Sequence, residues 1–338
     1  MLQLVKRGVS RVLPEPVKLA LRKVLGMGPP GYSVDKISRS LQDALRLSYN
    51  VAGSEFHLAI CLRSLRKACS VVGLPIRGEV LEIGSYPHPG LALALLLLGA
   101  ERVYINNLTP VANRLPVSYA QTIAALLGTF YNVDRTLEEF VQPFHGEEGY
   151  VELKPGRLTV LPSVGAEALA LADDTLDTIF SITVLEHVDD LPGVLRNTHR
   201  MLKPGGWCLH DIDLRDHAHL EDAPLEFLRF SEEEYARQSP RSHRHRASDY
   251  LREFAAAGWG IPYAGYCLPH RLAGGITDNY GMAQKPLEHT FFSDLESIAP
   301  WVTDERRGAL HPDFQRYGLQ ELSVTGMQVV AVKPGQAV

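Results

Sequence analysis

Cysteine is scarce in this 338-residue chain: Cys61, Cys69, Cys208 and Cys267 are its only four, and no two share CxxC spacing. That argues against a disulfide framework or a thiolate zinc site and makes a reducing compartment, the cytoplasm, the expectation. No apolar run reaches the roughly 18–20 residues that a membrane span needs. The net charge of −5 gives no global reason to expect a nucleic-acid partner. With 45% hydrophobic and 22% charged residues the composition is that of an ordinary globular protein. The length allows one large domain with insertions or two domains.

Residues 1–30 differ from the rest. Lys6, Arg7, Arg11, Lys18, Arg22 and Lys23 stand against the single acid Glu15, so this segment carries about +5 and the remainder about −10. Leu2, Val5, Val9 and Val12 recur at helical spacing, as do Val17, Leu21, Val24 and Leu25, with Pro14 and Pro16 between them. A basic amphipathic arm fits two readings: peripheral contact with an anionic membrane, or packing against the domain or a partner subunit. Its apolar runs are too short for a signal peptide. Residues 31–77 read as a helical extension.

The stretch Glu79-Val-Leu-Glu-Ile-Gly-Ser-Tyr-Pro-His-Pro-Gly90 reads as a buried strand ending on Glu82, then a loop that opens at Gly84. The apolar helix Leu91 to Ala100 follows. A strand, a glycine turn and a buried helix are the opening unit of a nucleotide-binding α/β domain, in which helix N–H groups face the ligand. A second strand, Arg102 to Leu108, ends on Asn106 and Asn107, where a carboxylate would ordinarily grip ribose hydroxyls. Further strands are expected at Leu158–Leu161, Thr178–Val184 and Trp207–Leu214, with a helix from about Asp190 to Leu202 closed by Lys203-Pro-Gly-Gly206. Residues 110–155 read as an insertion with at least one helix. The NAD fingerprint Gly-x-Gly-x-x-Gly with a ribose acid is not met, since the loop has only Gly84 and Gly90.

Gly78-Glu-Val-Leu-Glu-Ile-Gly84, Asp173-Asp-Thr-Leu-Asp-Thr-Ile-Phe-Ser-Ile-Thr-Val-Leu-Glu-His-Val188 and Arg200-Met-Leu-Lys-Pro-Gly-Gly206 together resemble the class I S-adenosylmethionine-dependent methyltransferases. The nearest branch is type 11-like, with Leu-Glu-His-Val after the fourth strand. The resemblance covers about residues 78–215. It implies an α/β fold, a doubly wound, mostly parallel seven-stranded Rossmann-like sheet, here with an N-terminal helical arm and an inserted lid. It implies S-adenosyl-L-methionine as cofactor. By position it puts Glu82, Gly84, Ser85 and Gly90 at the methionine end and Asn106 and Asn107 at the ribose. It puts Ala166 and Glu167 on the adenine side, with Ser181, Val184 and Glu186 near the methyl group. The loop departs from the pattern at Tyr86, where a second glycine is expected, and at the ribose amides.

Methyl transfer to a hydroxyl needs a group that takes its proton, and His suits that near neutral pH. His187, His210 and Asp211 are the catalytic candidates, His210 opening the run His-Asp-Ile-Asp-Leu-Arg-Asp-His-Ala-His219. Asp216 and His219 are expected in solvated loop. No metal is expected, because no helix sets two ligands at zinc spacing. Residues 215–310 read as a substrate lid whose basic cluster, Arg237, Arg241, His243, Arg244, His245 and Arg246, is placed to clamp an anionic group or to form a solvated face. Residues 311–338 supply the last strands, with the cofactor core at 78–214. The expected function is O-methylation of a small-molecule, glycan or lipid-linked acceptor, with a degenerate methyltransferase-fold binding module as the alternative.

Overall fold

The computed structural model describes residues 54–84, 88–131, 133–218, 223–238, 242–268 and 291–335. The basic arm, Ser85, Tyr86 and His219 lie outside them.

Helix α1 (Ser54–Val72) precedes strand β1 (Gly78–Ile83). After the loop come α2 (Gly90–Leu98), β2 (Ala100–Asn106), β3 (Leu115–Pro116), α3 (Val117–Tyr131), β4 (Val141–Pro143), β5 (Tyr150–Leu153) and β6 (Leu158–Val160). Next are β7 (Leu176–Ile182), α4 (Leu191–Met201), β8 (Leu202–Asp213), α5 (Glu232–Arg237), α6 (Ala247–Ala256) and β9 (Gly260–Cys267). The chain closes with β10 (Phe291–Phe292), α7 (Asp304–Gly308), α8 (Leu319–Ser323) and β11 (Gly326–Val332).

The main sheet has the order β10-β9-β11-β8-β7-β1-β2-β6. Strands β6, β2, β1, β7 and β8 run parallel, while β11 inserts antiparallel between β8 and β9. These are the seven expected strands, to which the two-residue β10 adds an edge. Strand order reverses between β1 and β7, so the crevice beyond their carboxyl ends is where an open α/β sheet takes its ligand. The insertion holds a three-stranded sheet, β3-β5-β4, that apolar patterning did not announce.

Each helix follows from local chemistry. In α2, Leu91, Leu93, Leu95, Leu96 and Leu97 are all buried, and a helix apolar on every side must be enclosed. Helix α4 is one-sided: Leu191, Val194, Leu195, Thr198 and Met201 are buried at helical spacing. Its N-terminus is capped by the Asp190 carboxylate, which accepts from Gly193 N at 2.8 Å. The helix stops at Met201, one residue short of the expectation, and Lys203 to Gly206 belong to β8, whose register shifts there against β7. One core layer joins α1, α2 and α3 to the sheet, and a second joins α4 and α6 to the other face.

A third, smaller core gathers Phe227, Leu228, Tyr235, Val302, Phe314 and Leu322. It corrects the expected lid boundaries. Strand β9, inside 215–310, is a member of the main sheet, and the cap is built from both sides of it in sequence. No helix among the described residues is long and apolar enough to cross a membrane.

Candidate active site

At the switch point β1 ends on buried Glu82, and the chain turns at Gly84 with φ +76°. A Cβ at position 84 would fall 2.2 Å from Val184 Cγ2. The backbone sign and the close approach to β7 therefore both demand glycine. Gly84 N donates to Asn106 O at 2.9 Å, which locks the ends of β1 and β2 together.

The two amides at the end of β2 separate. Asn106 is buried, and its Nδ2 donates to Val164 O at 2.9 Å and Pro162 O at 3.4 Å, so it ties the strand to the loop after β6. That corrects its expected place at the ribose. Asn107 is half-buried and bonds only locally, Nδ2 to Thr109 Oγ1 at 2.9 Å. Beside it Leu108 is 70% exposed, and Val164 across the crevice is 37% exposed. With Val160 they are the exposed large apolar side chains among the described residues. Asn197 of α4 donates to Ala166 O and Leu169 O, so the Ala166 loop is clamped from behind while Glu167 stays exposed.

Gly90 lies deeper than expected. It is buried under His88 and Tyr119, and its N–H points to His88 Nδ1 at 3.3 Å. Burial pushes His88 down to about 4.

Two expected catalytic residues sit in the interior. His210 has no exposed surface; its Nδ1 bonds Ser181 Oγ at 2.7 Å and its ring packs near Phe254. Burial pushes it down to about 3, too weak a base to take a proton near neutrality. Ser181 is spent on the same bond and lies beneath the crevice. Asp211 points to the other face, where its Oδ2 accepts from Ser64 Oγ at 3.0 Å and Gln328 Nε2 at 2.9 Å. Asp216, expected in solvated loop, is buried and accepts from Ala218 N.

His187 is different. Thr183, just beyond β7, has φ +50°, a strained conformation for a β-branched residue. Val184 then leads into the helical turn Leu185–His187. Glu186 and His187 line a cavity of about 500 Å³ closed by the cap residues Tyr235, His243, His245, Asp249 and Tyr317. His243 N donates to Glu186 O at 2.8 Å, its Nε2 donates to Val188 O at 2.6 Å, and Tyr250 OH reaches Nδ1 at 3.3 Å. Burial and the adjoining His245 push His243 down to about 4. Glu186 is buried, accepts from Asp213 N at 3.3 Å, and is raised well above the carboxylate range by burial and by Asp213.

The basic cluster divides between the interior, the cavity and the surface. Arg246 has no exposed surface and donates to Leu214 O and Val324 O. Arg244 donates to Phe227 O and Phe230 O between the rings of Tyr235 and Phe314. Arg244 also lines the cavity with His243 and His245, while Arg237 lies exposed beside Glu233 and Arg241 is outside the described residues.

Residues 62–264, spanning the sheet from α1 to β9, match the methyltransferase domain family. The chain belongs to that family. It is a class I S-adenosylmethionine-dependent methyltransferase. No curated protein matches it at a significant level. Among solved structures it is similar to an S-adenosylmethionine-dependent methyltransferase from Mesorhizobium loti, with 15% identity and TM-score 0.40 over 81% of this chain and 97% of that one. It is also similar to Haemonchus contortus phosphoethanolamine N-methyltransferase 2 in complex with S-adenosyl-L-methionine, with 15% identity and TM-score 0.41 over 87% of this chain and 60% of that one.

The methyltransferase's crevice fits its cofactor in chemistry. Glu82 offers a carboxylate, Gly84 a backbone without a side chain, Asn107 an amide that both donates and accepts, and Leu108 and Val164 apolar surface for a base. Leu108, Val164 and Thr183 were missed from sequence. Leu108 carried a signal, a lone apolar residue just past the amide pair. Thr183 carried none, because only its backbone angle marks it.

Proposed function

We propose that this methyltransferase acts on oxygen, with the acceptor seated in the cavity between the Leu185–His187 turn and the cap. The acceptor is a polar small molecule, a glycan or a lipid-linked intermediate. The observation that supports this is the exposed His187 imidazole lining that cavity, three residues along the chain from the Val184 side chain that abuts Gly84. S-adenosylmethionine, when bound, supplies an already activated methyl group. The chain's residues then have to orient the acceptor, exclude water and take up a proton. Glu82, Gly84, Asn107, Val184 and Glu167 would hold the cofactor, with Leu108 and Val164 at its base. His187 would receive the hydroxyl proton, while half-buried His243 stays neutral and holds the cavity wall through Val188 O.

The test uses labelled S-adenosylmethionine with a cell lysate split into aqueous metabolites, glycans and solvent-extracted lipids. Label in an ether or ester of one fraction, lost with His187→Ala while calorimetric cofactor binding persists, is the expected result. Label on nitrogen overturns the reading. The basic arm would hold the enzyme at an anionic membrane; equal flotation on anionic vesicles with and without residues 1–30 rules that out.

A further inference from the structure

The turn that carries His187 meets the loop after β8. His217 comes from that loop, and its ring lies 4.7 Å from the ring of His187, edge to face. Glu186, His187 and His217 each bring one ligating atom to a common point, all within 4.8 Å of one another. Two buried atoms here have no hydrogen-bond partner: Glu186 Oε2, on a side chain 1% exposed, and His217 Nε2. A buried carboxylate oxygen and a buried imidazole nitrogen left unsatisfied side by side are rare in native proteins and call for an explanation. A cation that accepts lone pairs from both supplies one.

We propose that Glu186, His187 and His217 form a site for a divalent first-row transition metal. Two imidazoles and one carboxylate are borderline donors that suit such ions better than calcium or magnesium, and three protein ligands leave positions open. The surroundings support it. Asp213 Oδ2 lies 3.8 Å from His217 Nε2, and Arg215 grips Asp213 with Nη2–Oδ2 at 2.7 Å and Nε–Oδ1 at 3.0 Å. Asp213 therefore stands beside the ligating nitrogen itself and adds a second negative charge close to the point where a cation would sit. The fold explains why sequence spacing hid the site. Glu186 and His187 are adjacent, and the third ligand arrives thirty positions later from the neighbouring strand's end.

Since Glu186 and His187 also line the acceptor cavity, a metal held by them would sit at its wall. This part of the inference rests on the acceptor reading above. A hydroxyl bound there would be a stronger acid and its proton would pass to water, so with the metal in place this replaces the proton uptake given above to metal-free His187.

The test takes untagged full-length protein, treated with chelator and dialysed, and titrates it with Co²⁺ alone. The expected result is a visible ligand-field spectrum that saturates at one equivalent and a rise in melting temperature. His217→Ala and Glu186→Gln should each weaken Co²⁺ binding by more than the roughly 10–100-fold typical of losing an outer-shell partner. His245→Ala, across the cavity, should keep the spectrum. Wild-type protein with neither spectrum nor thermal shift overturns the site, and so does equal loss in His245→Ala. The two readings fail separately. Chelated protein that binds no cobalt yet labels oxygen removes the metal alone, and protein that binds cobalt at this trio yet labels nitrogen removes the acceptor reading alone.

Discussion

At Gly84 two demands coincide, a positive φ and the absence of a Cβ beside Val184. Gly84→Ala should cost about 1–2 kcal/mol from the backbone alone, with the Val184 clash added. Denaturant midpoints check this, and the Gly84→Ala/Val184→Ala pair should recover the steric part while the backbone part remains. A midpoint unchanged in the single variant would refute the packing argument. Arg246 makes a second residue-level case. Its guanidinium is buried, lowered from its ordinary pKa by burial, and satisfies two carbonyls. Arg246→Met leaves both unpaired and should cost about 2–5 kcal/mol, measured by urea unfolding.

At the scale of the element, α2 and the turn after β7 behave oppositely. Helix α2 exists because the sheet and α3 enclose it, and Leu95 is fully buried there. Leu95→Ala should lose about 2–5 kcal/mol through lost transfer energy and the cavity left behind. The turn is held against its own preference at Thr183, where Thr183 N donates to Asp211 O at 2.7 Å. That gives Asp211 a role through its backbone, beside the structural one of its carboxylate. Thr183→Gly should raise stability by about 0.5–2 kcal/mol as strain is relieved, with part of the gain offset by glycine's greater freedom when unfolded. A lower melting temperature in that variant would count against strain.

For the whole molecule, acid is the telling perturbation. His88, His210 and His243 are held at about 4, 3 and 4 against an ordinary 6.5, mainly by burial. Below 6.5 the unfolded chain binds protons that the folded chain refuses. The stability these groups contribute is therefore complete above 6.5 and is lost as pH falls toward their folded values. Glu186 acts in the opposite sense: its pKa is raised above 4.5, so its contribution is complete below that and is lost as pH rises through its folded value. Three histidines outweigh one glutamate, so the urea midpoint should fall between about pH 7 and pH 5. His210→Gln should flatten that slope by about 1.4 kcal/mol per pH unit. An unaltered slope would mean that His210 titrates normally.

Short-range chemistry determined what could be read without a structure. Strand, glycine turn and buried helix followed from apolar runs and Gly84. Asp190 announced the start of α4, and Leu-Glu-His-Val marked the turn at His187. Those features depend on neighbours a few residues away. Only the tertiary structure decided which polar residues reach the site. Alternation along β8 put His210 and Asp211 on opposite faces but did not say that both faces are covered. Their partners, Ser181, Ser64 and Gln328, lie 29, 147 and 117 residues away. The same holds for Arg246, which spans from Leu214 to Val324, and for His217, brought to Glu186 and His187 by the parallel pairing of β7 with β8. Period two in a strand names a face; the depth of that face is set by what the rest of the chain packs upon it.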